Sequence, residues 1–205
     1  DLPDGKYAGV RQKGARARMN KTDVHVISQQ EIARDIYELR LNGIRAGEVT
    51  APGQFVHIKA DGDLATLLRR PISIADVDRE ELTVIYRVEG AGTANLSRKK
   101  PGDVVNLLGP LGNGFPIQNA VQGDTALIVG GGIGVPPLHE LAKQLTAKGV
   151  RITHVLGFSS AAEVFYEKNF AAFGETYVTT VDGSYGQKGF VTDAITSNAI
   201  DFDVL

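Results

Sequence analysis

The chain has 205 residues, of which 42% are hydrophobic and 22% are charged, a composition typical of a globular protein with one large or two smaller domains. Its net charge of −2 gives no electrostatic footprint for nucleic acid, and no stretch reaches the roughly 20 apolar residues of a membrane span. Cysteine is absent, which excludes disulfides, thiolate zinc sites, cysteine nucleophiles and thiolate-held iron–sulfur clusters in this chain.

Residues 1–18 differ from the rest of the chain. They carry five basic and two acidic side chains without apolar periodicity, and Met19 directly precedes the first strand-like run. A secretory signal needs an apolar core, which this segment lacks. We predict that the natural start is Met19 and that residues 1–18 are a tag or another non-native extension; a nucleic-acid-binding arm is the alternative.

Residues 19–118 read as short strands separated by turns. The turns are marked by Asn42-Gly43, Pro52-Gly53, Asp61-Gly62 and Pro101-Gly102. Closely spaced strands without a long helix predict a small antiparallel β-barrel or sandwich. The predicted strands cover residues 24–27, 36–41, 55–58, 72–75, 82–88 and 104–108.

The rhythm changes after the glycine- and proline-rich passage 109–116. Strand-like runs then alternate with segments whose apolar residues have helical spacing, and this alternation predicts a doubly wound parallel sheet over residues 119–205. Residues 201–205 read as the opening of a further strand. The predicted strands are 126–129, 152–158 and 177–181, and the predicted helices begin near 138, 161 and 191, the second running over 161–173.

An arginine-containing motif, Arg70-Pro71-Ile72-Ser73, lies at the start of a barrel strand. A fixed arginine offers a two-pronged hydrogen-bonding group for a pyrophosphate, and a hydroxyl or backbone donor can address a flavin ring nitrogen. Arginines at a solvated strand edge give the same pattern, and that alternative stays open.

A second motif runs from a strand into a probable helix start. Gly92 and Thr93 could present amides and a hydroxyl to a phosphate, although ordinary helix capping explains the pair equally well. Tyr86 is either a core aromatic or a ring-stacking partner. The residues of interest are Ile85, Tyr86, Arg87, Gly92 and Thr93.

Two glycine-rich loops follow parallel strands, where ligands of open α/β sheets bind. The second loop is 182–189, beginning Asp182-Gly183. Prolines follow the first loop where the common dinucleotide fingerprint has its third glycine, so the match to that fingerprint is incomplete. Ordinary surface turns remain the alternative for both loops. The first loop comprises Gly130, Gly131, Gly132, Ile133 and Gly134.

The remaining candidate chemistry is sparse. The four histidines, His25, His57, His139 and His154, lack metal-ligand spacing, and single histidines on strands or helices are usually structural. No serine–histidine–aspartate order or carboxylate pair stands out. We therefore assign no metal ligand and no catalytic side chain.

Together the motifs resemble the ferredoxin reductase superfamily, in which a flavin barrel precedes a nicotinamide nucleotide domain. Within it, the chain is similar to the electron transfer subunits of bacterial NAD-dependent (class 1B) dihydroorotate dehydrogenases, from about Met19 to Leu205. The segments that carry this similarity are LLRRPISI, IYRVEGAGT, GPLGNGFP, VGGGIGVPPLHELAKQL and TTVDGSYGQKGFV.

The resemblance implies a role for each motif. Residues 70–73 would contact FAD and its phosphates, with Ser73 near the flavin N5, and Ile72 stands where many superfamily members have a stacking tyrosine. Residues 85–87 would lie beside the cofactor, and Gly92 and Thr93 at the pyrophosphate. Residues 130–134 and the loop beginning at Asp182 and Gly183 would border the NAD site.

The resemblance also implies a biological role in pyrimidine (UMP) biosynthesis. Electrons from an FMN-containing dihydroorotate dehydrogenase catalytic subunit would pass through a [2Fe–2S] cluster and FAD to NAD⁺, in a cytoplasmic heterotetramer with two copies of each subunit. Family members continue into a four-cysteine segment that holds the cluster. This chain ends before that segment and has no such ligands, so we expect that it is truncated and cannot carry out cluster-mediated electron transfer alone.

Two other functions remain open from the sequence. A sibling reductase subunit, serving glutamate synthase, a hydrogenase or ferredoxin:NADP⁺ exchange, would share both motifs. A non-catalytic flavin-binding or assembly module is the second alternative, since the chain lacks cysteines.

Overall fold

A computed structural model describes residues 20–43, 46–59 and 68–205. Its first half is a closed barrel of six antiparallel strands in the order β1-β2-β5-β4-β3-β6. A short helix, α1 (Ala91–Leu96), connects the fifth strand to the sixth. The strands are β1 (Asn20–Ala33), β2 (Ile36–Asn42), β3 (Phe55–Lys59), β4 (Arg70–Asp78), β5 (Glu81–Arg87) and β6 (Val104–Leu111).

The second half is a four-stranded parallel sheet in the order β10-β9-β8-β7. Val204 forms a parallel bridge with Ala126 on the other edge of β7, at the position predicted for a further strand. The barrel followed by a parallel sheet with helices confirms the predicted fold class. The elements are β7 (Thr125–Gly131), α2 (Pro136–Ala147), β8 (Arg151–Phe158), α3 (Glu167–Ala171), β9 (Glu175–Thr180), β10 (Gln187–Lys188) and α4 (Val191–Ser197).

The single helix predicted over residues 161–173 is wrong. The segment forms a 3-10 turn, Ala161–Glu163, then an extended stretch, and only then α3. Phe165 turns into the core, where its ring lies 5.4 Å from that of Phe158, and Tyr166 adopts a left-handed φ of 61°. Burial of these aromatic side chains outweighs the helical spacing of the sequence.

The barrel and the sheet share one continuous core along α2. Ile36, Ala75 and Ile85 of the barrel belong to the same buried cluster as Leu138 and Ala142 of α2. Burial of these apolar side chains holds the second half against the outer face of β4 and β5.

Polar contacts reinforce this interface. Glu140 is 5% exposed and accepts a hydrogen bond from the Val77 amide, at 3.2 Å. Lys143 donates to Asp76 at 2.5 Å and to the Val77 carbonyl oxygen at 2.8 Å. Burial raises the pKa of Asp76, but the nearby His139 ring nitrogen, 3.6 Å from the carboxylate, and the hydrogen bond from Lys143 outweigh it and lower that pKa to about 2.

Some predictions concern residues outside this description. The extension 1–18, the start at Met19 and the Asp61-Gly62 turn all lie outside the described residues. Among the helices that are described, none combines the length and the apolar character needed to cross a membrane.

We predict that His154 makes the stability of the fold depend on pH. This histidine is fully buried, and burial lowers its pKa from 6.5 to about 4. The unfolded chain therefore binds a proton between these values while the folded chain does not, so the free energy of unfolding decreases as the pH falls from about 6.5 to about 4. The contribution is at most about 3 kcal/mol.

Urea denaturation at several pH values tests this. His154→Gln should flatten the slope over this interval, whereas His25→Gln, at an exposed histidine, should leave it unchanged. Equal slopes for His154→Gln and the parent chain would contradict the prediction.

Candidate functional site

The first candidate site is a cleft of about 320 Å³ on the outside of the barrel. It lies where β4, β5, the start of α1 and the turn after β7 meet. Eight of the nine residues predicted to contact FAD line this cleft. The ninth, Gly92, packs against the Arg70 guanidinium. The lining residues are Arg70, Pro71, Ile72, Ser73, Ile85, Tyr86, Arg87, Glu89, Thr93 and Ile133.

The alternation of side chains along the strands divides the predicted residues into two groups. Ser73 and Arg87 point outward, while Ile72 and Tyr86 belong to the barrel core and are 6% and 3% exposed. The Tyr86 hydroxyl donates to Gln29 at 3.0 Å, and burial raises its pKa. Little of the Ile72 or Tyr86 side chain is therefore left for a ligand, and Tyr86 is a core aromatic.

Arg70 and Gly92 form the most sterically specific contact of this cleft. A Cβ at position 92 would lie 2.4 Å from Nε of Arg70 and 2.6 Å from Nη2. The guanidinium also donates to the Leu68 carbonyl oxygen at 2.9 Å. Because position 92 has no side chain, the cation lies against α1 without having to shift, and a cation in this place suits a diphosphate.

The Thr93 hydroxyl forms hydrogen bonds with the backbone just before α1. Its hydroxyl accepts hydrogen bonds from the amides of Glu89, at 3.1 Å, and Gly90, at 3.3 Å. The capping alternative therefore describes this side chain, although it also borders the cleft.

The second candidate site is a cleft of about 400 Å³ at the carboxyl ends of β7, β8 and β9. Arg87, Glu89 and Ile133 line both clefts, so the two are contiguous. Ligands bound in them would meet at this shared edge. The other lining residues are Gly131, Gly132, Gly157, Phe158, Ser159, Glu163, Thr179, Val181, Gly189, Phe190 and Val191.

The structure separates the predicted nucleotide residues. Gly131, Gly132 and Ile133 line the second cleft, and Gly130, Gly134, Asp182 and Gly183 are not among its lining residues.

Two of these residues have clear local surroundings. A Cβ at Gly130 would lie 2.4 Å from Leu138, so this glycine permits the close packing of α2. Asp182 accepts hydrogen bonds from the amide and hydroxyl of Ser184, at 2.9 and 2.6 Å, which lower its pKa.

Glu163 is a cleft residue that the sequence did not indicate. Its carboxylate pairs with Arg34 and with Arg87, each at 3.0 Å. Burial raises the pKa of Glu163, but hydrogen bonds from the two arginines outweigh it, and the net shift is downward. The partners lie 129 and 76 residues away in sequence, so no local pattern could have revealed this cluster.

Two buried polar atoms in the clefts lack hydrogen-bond partners within the described ranges. They are Nε of Arg87 and Oγ1 of Thr179. Buried polar atoms are nearly always paired, so both are candidates to contact a ligand. Among the described residues, no group of three or more histidines and acids is arranged to hold a metal ion.

Comparison with known proteins identifies relatives with closely similar sequences. The chain is 57% identical over 189 residues to the electron transfer subunits of dihydroorotate dehydrogenase B (NAD(+)) from Bacillus cereus ATCC 14579 and Bacillus anthracis CDC 684. These matches cover 91% of the chain and 73% of each relative. No protein-family model matches the chain.

Solved structures show the same architecture. An NADH-dependent reduced ferredoxin-NADP oxidoreductase matches with a TM-score of 0.75 and 30% identity, over 87% of this chain and 63% of that one. The ferredoxin-NADP⁺ reductase of Plasmodium falciparum matches with a TM-score of 0.67 and 17% identity, over 87% and 78%, which supports the fold alone.

We predict that Glu163→Gln lowers the free energy of unfolding by about 1 kcal/mol, because Arg87 loses its charged partner. The expected loss is small because the Arg34 side chain is 59% exposed and solvent screens its share of the interaction. Urea denaturation measures the change. Glu81→Gln, which removes the partner of Arg40 from a more exposed pair, should cost less; an equal or larger loss for this control would contradict the prediction.

Proposed function

The chain belongs to the family of dihydroorotate dehydrogenase B (NAD(+)) electron transfer subunits, and we propose that it binds FAD in the first cleft and NAD⁺ in the second. The observation that carries this proposal is the shared edge of the two clefts at Arg87, Glu89 and Ile133. Hydride transfer between two bound groups requires that they meet, and this edge is where they would do so.

The first cleft fits FAD in both charge and shape. Arg70 provides a cation for the pyrophosphate, and Gly92 leaves room for it. Ser73 lies on the outward face of β4, where its hydroxyl would orient the flavin ring near N5. When bound, FAD supplies the redox chemistry, and the chain supplies binding and orientation.

The second cleft fits a nicotinamide nucleotide. Gly131 and Gly132 expose backbone at the end of the first parallel strand, and the nearest atom to a Cβ at Gly131 would be 3.8 Å away. The loop beginning at Asp182 and Gly183 would border the nucleotide, with Gly189 and Phe190 in contact. No side-chain acid or base is needed.

The chain does not fit an iron–sulfur cluster. It contains no cysteine, and thiolates are the ordinary ligands of such clusters. We therefore assign no electron-transfer step through a cluster to residues of this chain.

We further propose a partner and a pathway. The relatives' name, electron transfer subunit, supports a separate catalytic subunit that oxidises dihydroorotate, and a role in pyrimidine biosynthesis is part of this proposal. A heterotetramer with an FMN-containing partner and a cytoplasmic location belong to the same proposal.

A reductase that serves another partner is the second candidate. The 30% identity to an NADH-dependent ferredoxin-NADP oxidoreductase supports it, but the 57% identity to the dihydroorotate dehydrogenase subunits favours the first.

Absorption spectroscopy and anaerobic titration test the proposal directly. We expect the purified protein to show a flavin spectrum, to release FAD on acid treatment, and to bleach on addition of NADH. Co-purification with a dihydroorotate-oxidising protein would distinguish the first candidate from the second. Absence of flavin after reconstitution of the folded protein would contradict the assignment of the first cleft.

We predict that Arg70→Ala weakens FAD binding roughly ten- to hundredfold, because a charge-assisted hydrogen bond contributes about 1.5–3 kcal/mol. Flavin fluorescence during dialysis measures FAD retention. Arg98→Ala removes an exposed arginine that lines neither cleft, and it should retain FAD like the parent chain. Equal retention by Arg70→Ala would contradict the role given to Arg70.

A further inference from the structure

Thr179 lies in the second cleft with an unused hydroxyl. It is 1% exposed, and its Oγ1 has no hydrogen-bond partner in the described part of the chain. The adjacent Thr180 differs, because its hydroxyl donates to the Tyr185 carbonyl oxygen at 2.6 Å and accepts from the Tyr185 amide at 3.1 Å. A buried hydroxyl without a partner destabilises a fold, so a function for Thr179 outside the chain's own hydrogen bonding is expected.

The neighbouring strand offers this hydroxyl no hydrogen-bond partner. Thr179 pairs with Gly157 on β8, and Gly157 pairs with Gly131 on β7. A Cβ at position 157 would lie 3.3 Å from Oγ1 of Thr179. Because Gly157 has no side chain, β8 supplies no partner at this position, and Thr179 lines the second cleft with its hydroxyl unpaired among the described residues.

The position along the sheet indicates which part of a ligand lies nearby. Neighbouring strands are about 4.8 Å apart, so Thr179 on β9 lies roughly 10 Å from the end of β7. Ile133, which borders both clefts, directly follows β7. The ligand group above Thr179 is therefore remote from the first cleft.

The side chains nearest to Thr179 indicate the chemistry of that group. Val181 directly follows the end of β9, and Val191 packs over Gly157, where a Cβ would lie 2.7 Å from Cγ1 of Val191. Both line the cleft, and neither carries charge. Such surroundings suit a neutral polar group, such as a ribose hydroxyl, better than a phosphate.

We propose that Thr179 is a ligand-binding residue of the second cleft, whose hydroxyl exchanges a hydrogen bond with the ADP-ribose half of a nicotinamide nucleotide. This inference rests on the function proposed above for that cleft, and it adds a contact that the glycine-rich motifs do not supply. Thr179 would thus contribute to affinity for the nucleotide without acting on the reacting atoms.

Two substitutions separate the hydroxyl from the shape of the side chain. Thr179→Val removes the hydroxyl and keeps the branched shape, while Thr179→Ser keeps the hydroxyl. Calorimetric titration of the FAD-loaded protein with NADH and with ADP-ribose measures binding. We expect Thr179→Val to weaken both ligands roughly three- to tenfold, the effect of one neutral hydrogen bond, and Thr179→Ser to stay within about twofold.

The melting temperature without nucleotide supplies an independent readout. Since Thr179→Val deletes a buried unpaired hydroxyl, its melting temperature should equal or exceed that of the parent chain. A merely structural role for the hydroxyl predicts a lower melting temperature, and a drop of several degrees together with unchanged affinity would overturn the inference.

The remaining outcomes are distinguishable. If the parent protein binds neither NADH nor ADP-ribose, the function proposed for the second cleft fails. If it binds both and Thr179→Val binds them equally well, only the role of Thr179 fails. If Thr179→Val weakens NADH but not ADP-ribose, the assignment to the ADP-ribose half is overturned.

Discussion

Two buried carboxylates constrain how the halves of the molecule fit together. A carboxylate removed from water must be hydrogen-bonded or paired, and both Glu140 and Glu163 meet this requirement with groups on the barrel. Glu140 accepts from the Val77 amide, and Glu163 pairs with Arg34 and Arg87. Apolar packing along α2 brings the halves together, and these directional contacts select one arrangement. The contiguity of the two clefts depends on it.

The sequence predicted elements and motifs well because these have local signals. Six barrel strands, the parallel sheet and α4 follow from alternation and turn residues, and the arginine motif and part of the first glycine-rich loop mark residues that line the clefts. Which side chains point into the barrel was harder to predict from the sequence. Alternation along β4 and β5 places Ile72 and Tyr86 inside the barrel, and which face of a strand points inward is set by its register with the neighbouring strands.

Features that depend on distant residues could not be predicted. Glu163 forms ion pairs with Arg34 and Arg87, which are distant in sequence, and Thr179 lies opposite Gly157 on the neighbouring strand. No local sequence pattern encodes either relation. The break in the predicted helix 161–173 has the same origin, since burial of Phe165 against Phe158 is a tertiary effect. Local propensity gives way where core packing offers more free energy.

The two clefts differ in how they would hold a ligand, and the difference suits a retained cofactor beside an exchanging one. The first offers the cation of Arg70, and charge-assisted hydrogen bonds are about twice as strong as neutral ones. The floor of the second offers a neutral hydroxyl and exposed backbone, which suit weaker and reversible binding. Arg87 at the shared edge already has a partner in Glu163, so its position does not depend on either ligand. It would therefore keep its place with the second cleft empty, and the edge would be preorganised for a nucleotide.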